Sequence, residues 1–193
     1  MRWNNTMFMR RRQAPARTAA ILAVLVTAAI VALVATRAEA RATAELTEAG
    51  VVAIFDLANT ADIETGALGE QRAVTKEVRD YGTMLRQVHT EVRQKGRDLA
   101  KKLGVVPAMP SGSTMAAEHA AAVARLKTLS GIEFDRAFLQ HEQDFHAGVL
   151  AAVKSTLLPA IKNQELKDFV TSLAPAFEAH RLAAEHWSKK LAK

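Results

Sequence analysis

The sequence predicts an all-α protein, a ferritin-like, up-down-up-down four-helix bundle behind an N-terminal signal or anchor helix. Composition, periodicity and punctuation carry the helical part. Apolar residues make up 49% of the 193-residue chain but aromatics only 5%. The apolar share is mostly Ala, Leu and Val, a mix that favours helices over a sandwich or barrel. After residue 41 apolar positions recur every three and four residues, with no useful period-two run. The 24% of charged residues is ordinary for a folded domain. Cys is absent, which excludes disulfides, thiol catalysis, zinc fingers and Cys-ligated iron–sulfur clusters.

The net charge of +6 and the pI near 9.8 raise the question of nucleic acid. Their distribution answers it. Residues 1–40 hold six Arg (Arg2, Arg10, Arg11, Arg12, Arg17, Arg37) and one acid, Glu39. Residues 41–193 are nearly balanced, with 20 basic and 19 acidic groups. A phosphate-binding surface needs a concentrated basic excess, so no nucleic-acid partner is expected. The arginines belong to an export signal instead. Arg10 to Arg12 form a positive n-region, Ala19–Ala35 is an uncharged apolar run, and Ala38-Glu39-Ala40 places small residues at −3 and −1 of a cleavage site. Residues 1–40 are thus a signal peptide, or a membrane anchor if uncleaved, and 41–193 form the bundle domain. The expected location is the periplasm, or tethering to the inner membrane if the segment stays. Contact with membrane is expected only through this segment, and the oligomeric state is left open.

Each helix of the bundle has its own stripe. The first runs from about Ala44 to Gly69 through Val51, Ile54, Phe55, Leu57, Ala58, Ala61 and Leu68. The second, about Val74 to Leu103, carries Val74, Val78, Tyr81, Leu85, Val88, Val92 and Leu99, with Lys101, Lys102 and Gly104 suited to its C-terminus. Pro107 to Gly112 reads as a linker, followed by a shorter helix from Thr114 to Leu129. Ser130 and Glu133 have capping-box spacing for the next helix, which carries Phe134, Phe138, Phe145, Val149 and Val153 before Pro159 ends it. Asn163 is a candidate N-cap for the last helix, with Leu166, Phe169, Val170, Leu173, Phe177, Leu182 and Trp187 on its stripe. Pro175 lies inside that helix and predicts a kink.

Polar residues interrupting these stripes are the chemical clue. His180 continues the series Leu166, Val170, Leu173 and Phe177; His89 falls between Leu85 and Val92; His146 precedes Val149 and Val153; Asp62 follows Phe55 and Ala58. Buried polar groups need partners, so one inward residue on each of four helices predicts that Asp62, His89, His146 and His180 meet in one layer. Imidazole and carboxylate together suit a divalent transition metal such as Zn, Cu, Fe, Ni or Mn. A hydrogen-bonded polar layer is the alternative. Glu142, four residues before His146 and on the same face, His141 and Glu64 are second choices. Glu64 lies about 200° around its helix from Asp62, and His119 and His186 read as peripheral. Two Glu-x-x-His motifs, the di-iron signature, are absent, as are a nucleophile elbow and a phosphate loop around Gly66-Ala67-Leu68-Gly69. No catalytic motif stands out.

Several stretches resemble a bacterial exported family, domain of unknown function 4142. They are Ala61–Gly69, His89 with Lys102–Val105, Leu129–Phe138, His141–His146, Leu157–Asn163, Glu165–Lys167 and Pro175–His180, in order across about 50–190. The resemblance implies a ferritin-like four-helix bundle in the bacterial envelope. It also implies that an acidic position on the first helix and the later histidines recur, which fits Asp62, His89, His146 and His180. Members are often labelled outer membrane proteins, but this sequence has neither barrel-type alternation nor a lipoprotein Cys. Three functions follow as expectations: a metal-binding envelope protein, a structural or stress-related interaction module of the periplasm, or a small metalloenzyme.

Overall fold

A computed structural model describes residues 46–192; the signal or anchor segment 1–40 lies outside the described residues. These fold into helices without a strand among them: α1 Glu48–Arg72, α2 Lys76–Lys102, α3 Met115–Lys127, α4 Gly131–Ala152 and α5 Gln164–Leu191. A π-helical segment, Val153–Leu157, and a last turn, Leu158–Ala160, prolong α4. No helix of the described residues is long and apolar enough to cross a membrane.

Local signals place the helix ends. Thr47 Oγ1 accepts from Gly50 N–H at 3.2 Å to start α1, and Asn163 Oδ1 accepts from Leu166 N–H at 3.1 Å to start α5. Gly104, at φ 68°, closes α2. Its N–H reaches Lys101 O and that of Val105 reaches Ala100 O, the paired bonds of a Schellman cap. Ser130 does precede α4, but its side chain makes no capping bond. Buried Asp135 instead accepts from Val74 N–H and Thr75 N–H, at 3.0 and 2.9 Å, and so serves the start of α2.

Three expectations about the helices need correction. Pro159 does not itself end the helix, which runs on to Ala160. The ladder widens before it, Leu158 N–H bonding to Val153 O, and one further turn follows. Val74 is 56% exposed because α2 begins at Lys76 and Val74 lies in the link. Leu182 is 49% exposed; it follows His180 by two residues, about 200° around the helix, and so cannot share its face.

The helix order also differs from up-down-up-down. At one end of the bundle Arg72 donates to Lys127 O and Leu129 O, Asp135 holds the start of α2, and Arg136 donates to Leu191 O. At the other end Glu48 accepts from the N–H groups of Lys162 and Asn163, and Lys102 pairs with Glu165. Helices α2 and α4 therefore run parallel, giving up-down-down-up. The cause is the connection between them. It starts beside α1's first turn, where Ala108 N–H bonds to Ala49 O, and returns through α3 to Arg72. What the sequence presents as a short helix after a linker is a crossover along the bundle.

Helices α1 and α2 form one close hairpin, and α4 packs on α5 as the other. Glycines set the first crossing. A Cβ at Gly82 would lie 2.6 Å from Glu70 N and 2.8 Å from Gly66 O. Gly82→Ala must push two backbones apart, which outweighs the gain in helix propensity of about 1 kcal/mol. A net loss of about 1–3 kcal/mol is expected, read from the urea midpoint; an unchanged midpoint would contradict this crossing.

Aromatic and aliphatic layers fill the two ends of the interior. Tyr81, Leu85, Phe134, Phe138 and Leu139 pack toward the Arg72 end, and Val51, Val52, Leu157, Leu166 and Val170 toward the Glu48 end. A polar layer lies along the same helices between them.

Candidate metal centre

Helical spacing brings Asp62, His89, His146 and His180 into that layer, one from each long helix, all buried. His89 Nε2 is 3.3 Å from His180 Nδ1 and His89 Nδ1 is 3.3 Å from Asp62 Oδ2. His146 Nε2 lies 3.8 Å from Asp62 Oδ1. One ligand-capable atom from each of His89, His146 and His180 lies within 4.8 Å of the other two, and the same holds for Asp62, Glu142 and His146. Metal–nitrogen and metal–oxygen bonds of about 2.0–2.2 Å leave neighbouring ligand atoms roughly 3–4 Å apart. The 3.3 Å between His89 Nε2 and His180 Nδ1 and the 3.8 Å between His146 Nε2 and Asp62 Oδ1 fall in that range.

Surrounding groups orient two of the rings. Asn59 Nδ2 donates to Phe55 O at 2.8 Å, which turns Asn59 Oδ1 toward His89 Nδ1 at 3.0 Å. His89 therefore carries its proton on Nδ1 and directs the Nε2 lone pair inward. His146 Nδ1 donates to Glu142 O at 2.9 Å, with the same consequence for its Nε2. His89 also stacks on Phe177, with ring centroids 5.7 Å apart.

Satisfaction is incomplete at the centre. Asp62 Oδ1, His146 Nε2 and both carboxylate oxygens of Glu142 are buried without a hydrogen-bond partner. Such groups are costly unless something pairs with them. Burial pushes the Asp62 carboxyl well above its usual range, with the Glu142 charge adding to it, and burial raises Glu142 to about 7. Burial, reinforced by the neighbouring histidines, pushes His89 down to about 2, and burial holds His146 at about 4. His180 is lowered by burial too. The metal-free layer thus has neutral imidazoles, the protonation state that ligation requires.

These shifts give a pH dependence with two opposed parts. Neutral native histidines contribute stability that is complete above 6.5, where the unfolded rings are neutral too, and that drains away as pH falls through the native values. Raised carboxyls contribute stability that is complete below the unfolded value of 4.5 and lost as pH rises through about 7 for Glu142. Below pH 4.5 the histidine part acts without the opposing Glu142 part. The metal-free protein should there lose about 1.4 kcal/mol per pH unit for each histidine still neutral. Urea melts at stepped pH measure the slope. His89→Gln should flatten it between about pH 4 and 2, and an unaltered slope would contradict the burial of a neutral His89.

The second-choice residues separate. Glu142 joins the layer beside His146, its Oε2 3.6 Å from Nδ1. His141 points elsewhere, against the Phe145 ring at 5.9 Å. Glu64 is turned outward and pairs with His119 Nε2 at 2.7 Å. Asn59 escaped the sequence reading, although it lies on the same stripe three residues before Asp62. That spacing was the available signal. Thr65 is buried as well and bonds back to Ala61 O at 3.1 Å.

Fold and layer together define a class: an all-helical protein whose four long helices enclose a buried group of imidazoles and carboxylates able to hold a metal. The chain belongs to the family described as domain of unknown function (DUF4142), whose profile matches residues 33–187. No curated protein and no solved structure matches it.

Proposed function

We propose that the protein is an exported, ferritin-like bundle that binds one divalent transition-metal ion in its core through Asp62, His89, His146 and His180. The observation that carries this is the convergence of one ligand-capable atom each from His89, His146 and His180 within 4.8 Å at buried positions, with His146 Nε2 unpartnered and the equally unpartnered Asp62 Oδ1 3.8 Å from it. Fixation of the outer nitrogens of His89 and His146 by Asn59 and the Glu142 carbonyl supports it, since ligating histidines are held in this way. The up-down-down-up order with a single crossover is the connectivity of ferritin-like folds. Three imidazoles and a carboxylate suit Zn, Cu, Fe, Ni or Mn. Cobalt(II) tests the site directly: titration into metal-free protein should give visible d–d bands saturating at one equivalent, lost in the His180→Ala variant.

A hydrogen-bonded layer without metal is the second reading. It is favoured by the raised carboxyls of Asp62 and Glu142, which share a proton most readily when no cation is present. Absence of the cobalt bands in folded protein would select it.

Export rests on the Arg10–Arg12 cluster, the apolar run and the Ala38-Glu39-Ala40 site. Intact mass of the protein from cells should correspond to a chain beginning at Arg41. A chain still beginning near Met1 and sedimenting with membranes would replace cleavage by anchoring.

A further inference from the structure

We infer that the cleft between α1 and α4 is a binding site for a small, uncharged, largely hydrocarbon molecule carrying one hydroxyl group. This rests on the cleft and not on the metal reading: a metal would occupy Asp62 Oδ1 and His146 Nε2 at its polar end, so the inference concerns the metal-free protein. The cleft holds a cavity of about 440 Å³, within the usual range of about 300–1,000 Å³ for small-molecule sites. One stripe of α1, with Ile54, Phe55 and Ala58, faces one stripe of α4, with Phe145, Gly148 and Val149. Small residues keep it open: a Cβ at Gly148 would meet nothing within 4 Å. Met115 and Glu118 of α3 stand at its side, and the π-helical segment adds Val153, Thr156 and Leu157. Such widened turns are frequent at functional sites.

The chemistry of its polar end selects the ligand. Asn59, Asp62 and His146 reach the cavity, and Asp62 Oδ1 and His146 Nε2 are buried there without partners. His146 already donates its Nδ1–H to Glu142 O, so its Nε2 accepts. Asn59 is committed on both sides, to Phe55 O and His89. His146 Nε2 can only accept, so the end calls for a donor. Among the described residues no Lys or Arg lines the cavity; three acids, Asp62, Glu118 and Asp144, line it beside His141 and His146, a balance that rejects carboxylates and phosphates. A buried cation would find hydrocarbon walls from Ile54, Phe55, Phe145, Val149 and Phe177 in place of its hydration shell. A hydroxyl meets the donor requirement without charge.

The probe is 2-naphthol, titrated by fluorescence into the protein purified from cells without a His tag and stripped of metal with a chelator. A Kd of about 100 µM or tighter is expected for a ligand of this size. Naphthalene, lacking the donor, and 2-naphthoate, carrying a negative charge, should each bind at least about tenfold more weakly. Gly148→Phe, which fills the cleft from its wall, should weaken 2-naphthol at least about tenfold with the circular dichroism unchanged. Ala58→Phe blocks the cleft from the opposite wall and serves if Gly148→Phe does not fold. No binding of 2-naphthol, or wild-type affinity in a folded blocking variant, would overturn the site. Equal affinity for naphthalene would overturn the role of its polar end, and equal affinity for 2-naphthoate the uncharged class. Cobalt titration of the same protein separates the two readings: cobalt without naphthol leaves the metal reading standing, and naphthol without cobalt leaves the cleft.

Discussion

Phe138→Ala should destabilise the protein by about 3–5 kcal/mol, the usual cost of removing a fully buried Phe. The ring is 0% exposed and fills the space left by a glycine on the neighbouring hairpin, where a Cβ at Gly69 would come within 2.6 Å of it. It stacks on Phe134 at a centroid distance of 5.9 Å and meets Tyr81 at 6.0 Å. Tyr81 in turn donates its hydroxyl proton to His180 O at 3.1 Å. The cavity would therefore open between the two hairpins, where α1 and α4 cannot close it without moving the crossing. Phe177→Ala belongs to the same class and also strips the ring that stacks on His89. Denaturant melts decide it. Losses below about 0.5 kcal/mol for both, as at surface sites, would contradict the packing described above.

His146→Ala should weaken metal binding by more than about 100-fold, since changes in the supporting shell alone cost 10–100-fold. His146 belongs to both clusters of ligand-capable residues, one with His89 and His180 and one with Asp62 and Glu142. No neighbouring side chain supplies the lost nitrogen from α4. Asn59→Ala should fall in the 10–100-fold range, because it frees His89 to rotate or change tautomer without removing a ligand atom. Glu64→Ala is the control: Glu64 is turned out toward His119 and should leave affinity unchanged. Acid should act in the same direction as these variants, because protons compete for the imidazole nitrogens. Competition titrations with a chromophoric chelator rank the variants. Equal affinity in wild type and His146→Ala would contradict the assignment.

Much of this architecture is legible in the residue pattern alone. Period-three and period-four stripes locate the five helices to within a few residues, because each buries a continuous apolar face. The same stripes single out Asp62, His89, His146 and His180 as polar interruptions of that face, and a burial argument brings them together. Long-range relations are harder to see. The Gly66, Gly69 and Gly82 crossing depends on which helices touch, and local pattern carries no such information. Chain direction is lost for the same reason: a linker and a 13-residue helix, α3, do not announce that they span the bundle. Asp135 illustrates the point at the scale of one side chain. It caps a helix about 60 residues away, while the nearer Ser130, with capping-box spacing, makes no side-chain cap. Asn59 escapes notice because an amide on a helix usually faces solvent, and only the position of His89 reveals its role.

Metal content of the protein purified from its native host, without a His tag and without added metal, tests the central claim most directly. Elemental analysis of the folded chain should find close to one equivalent of a single transition metal, displaced by protons as the pH is lowered and absent from the His146→Ala and His180→Ala proteins. Folded protein that carries no metal, and takes up none when offered Zn, Cu, Fe, Ni or Mn in turn, would contradict the claim and leave Asp62, Glu142 and the three histidines as a hydrogen-bonded layer.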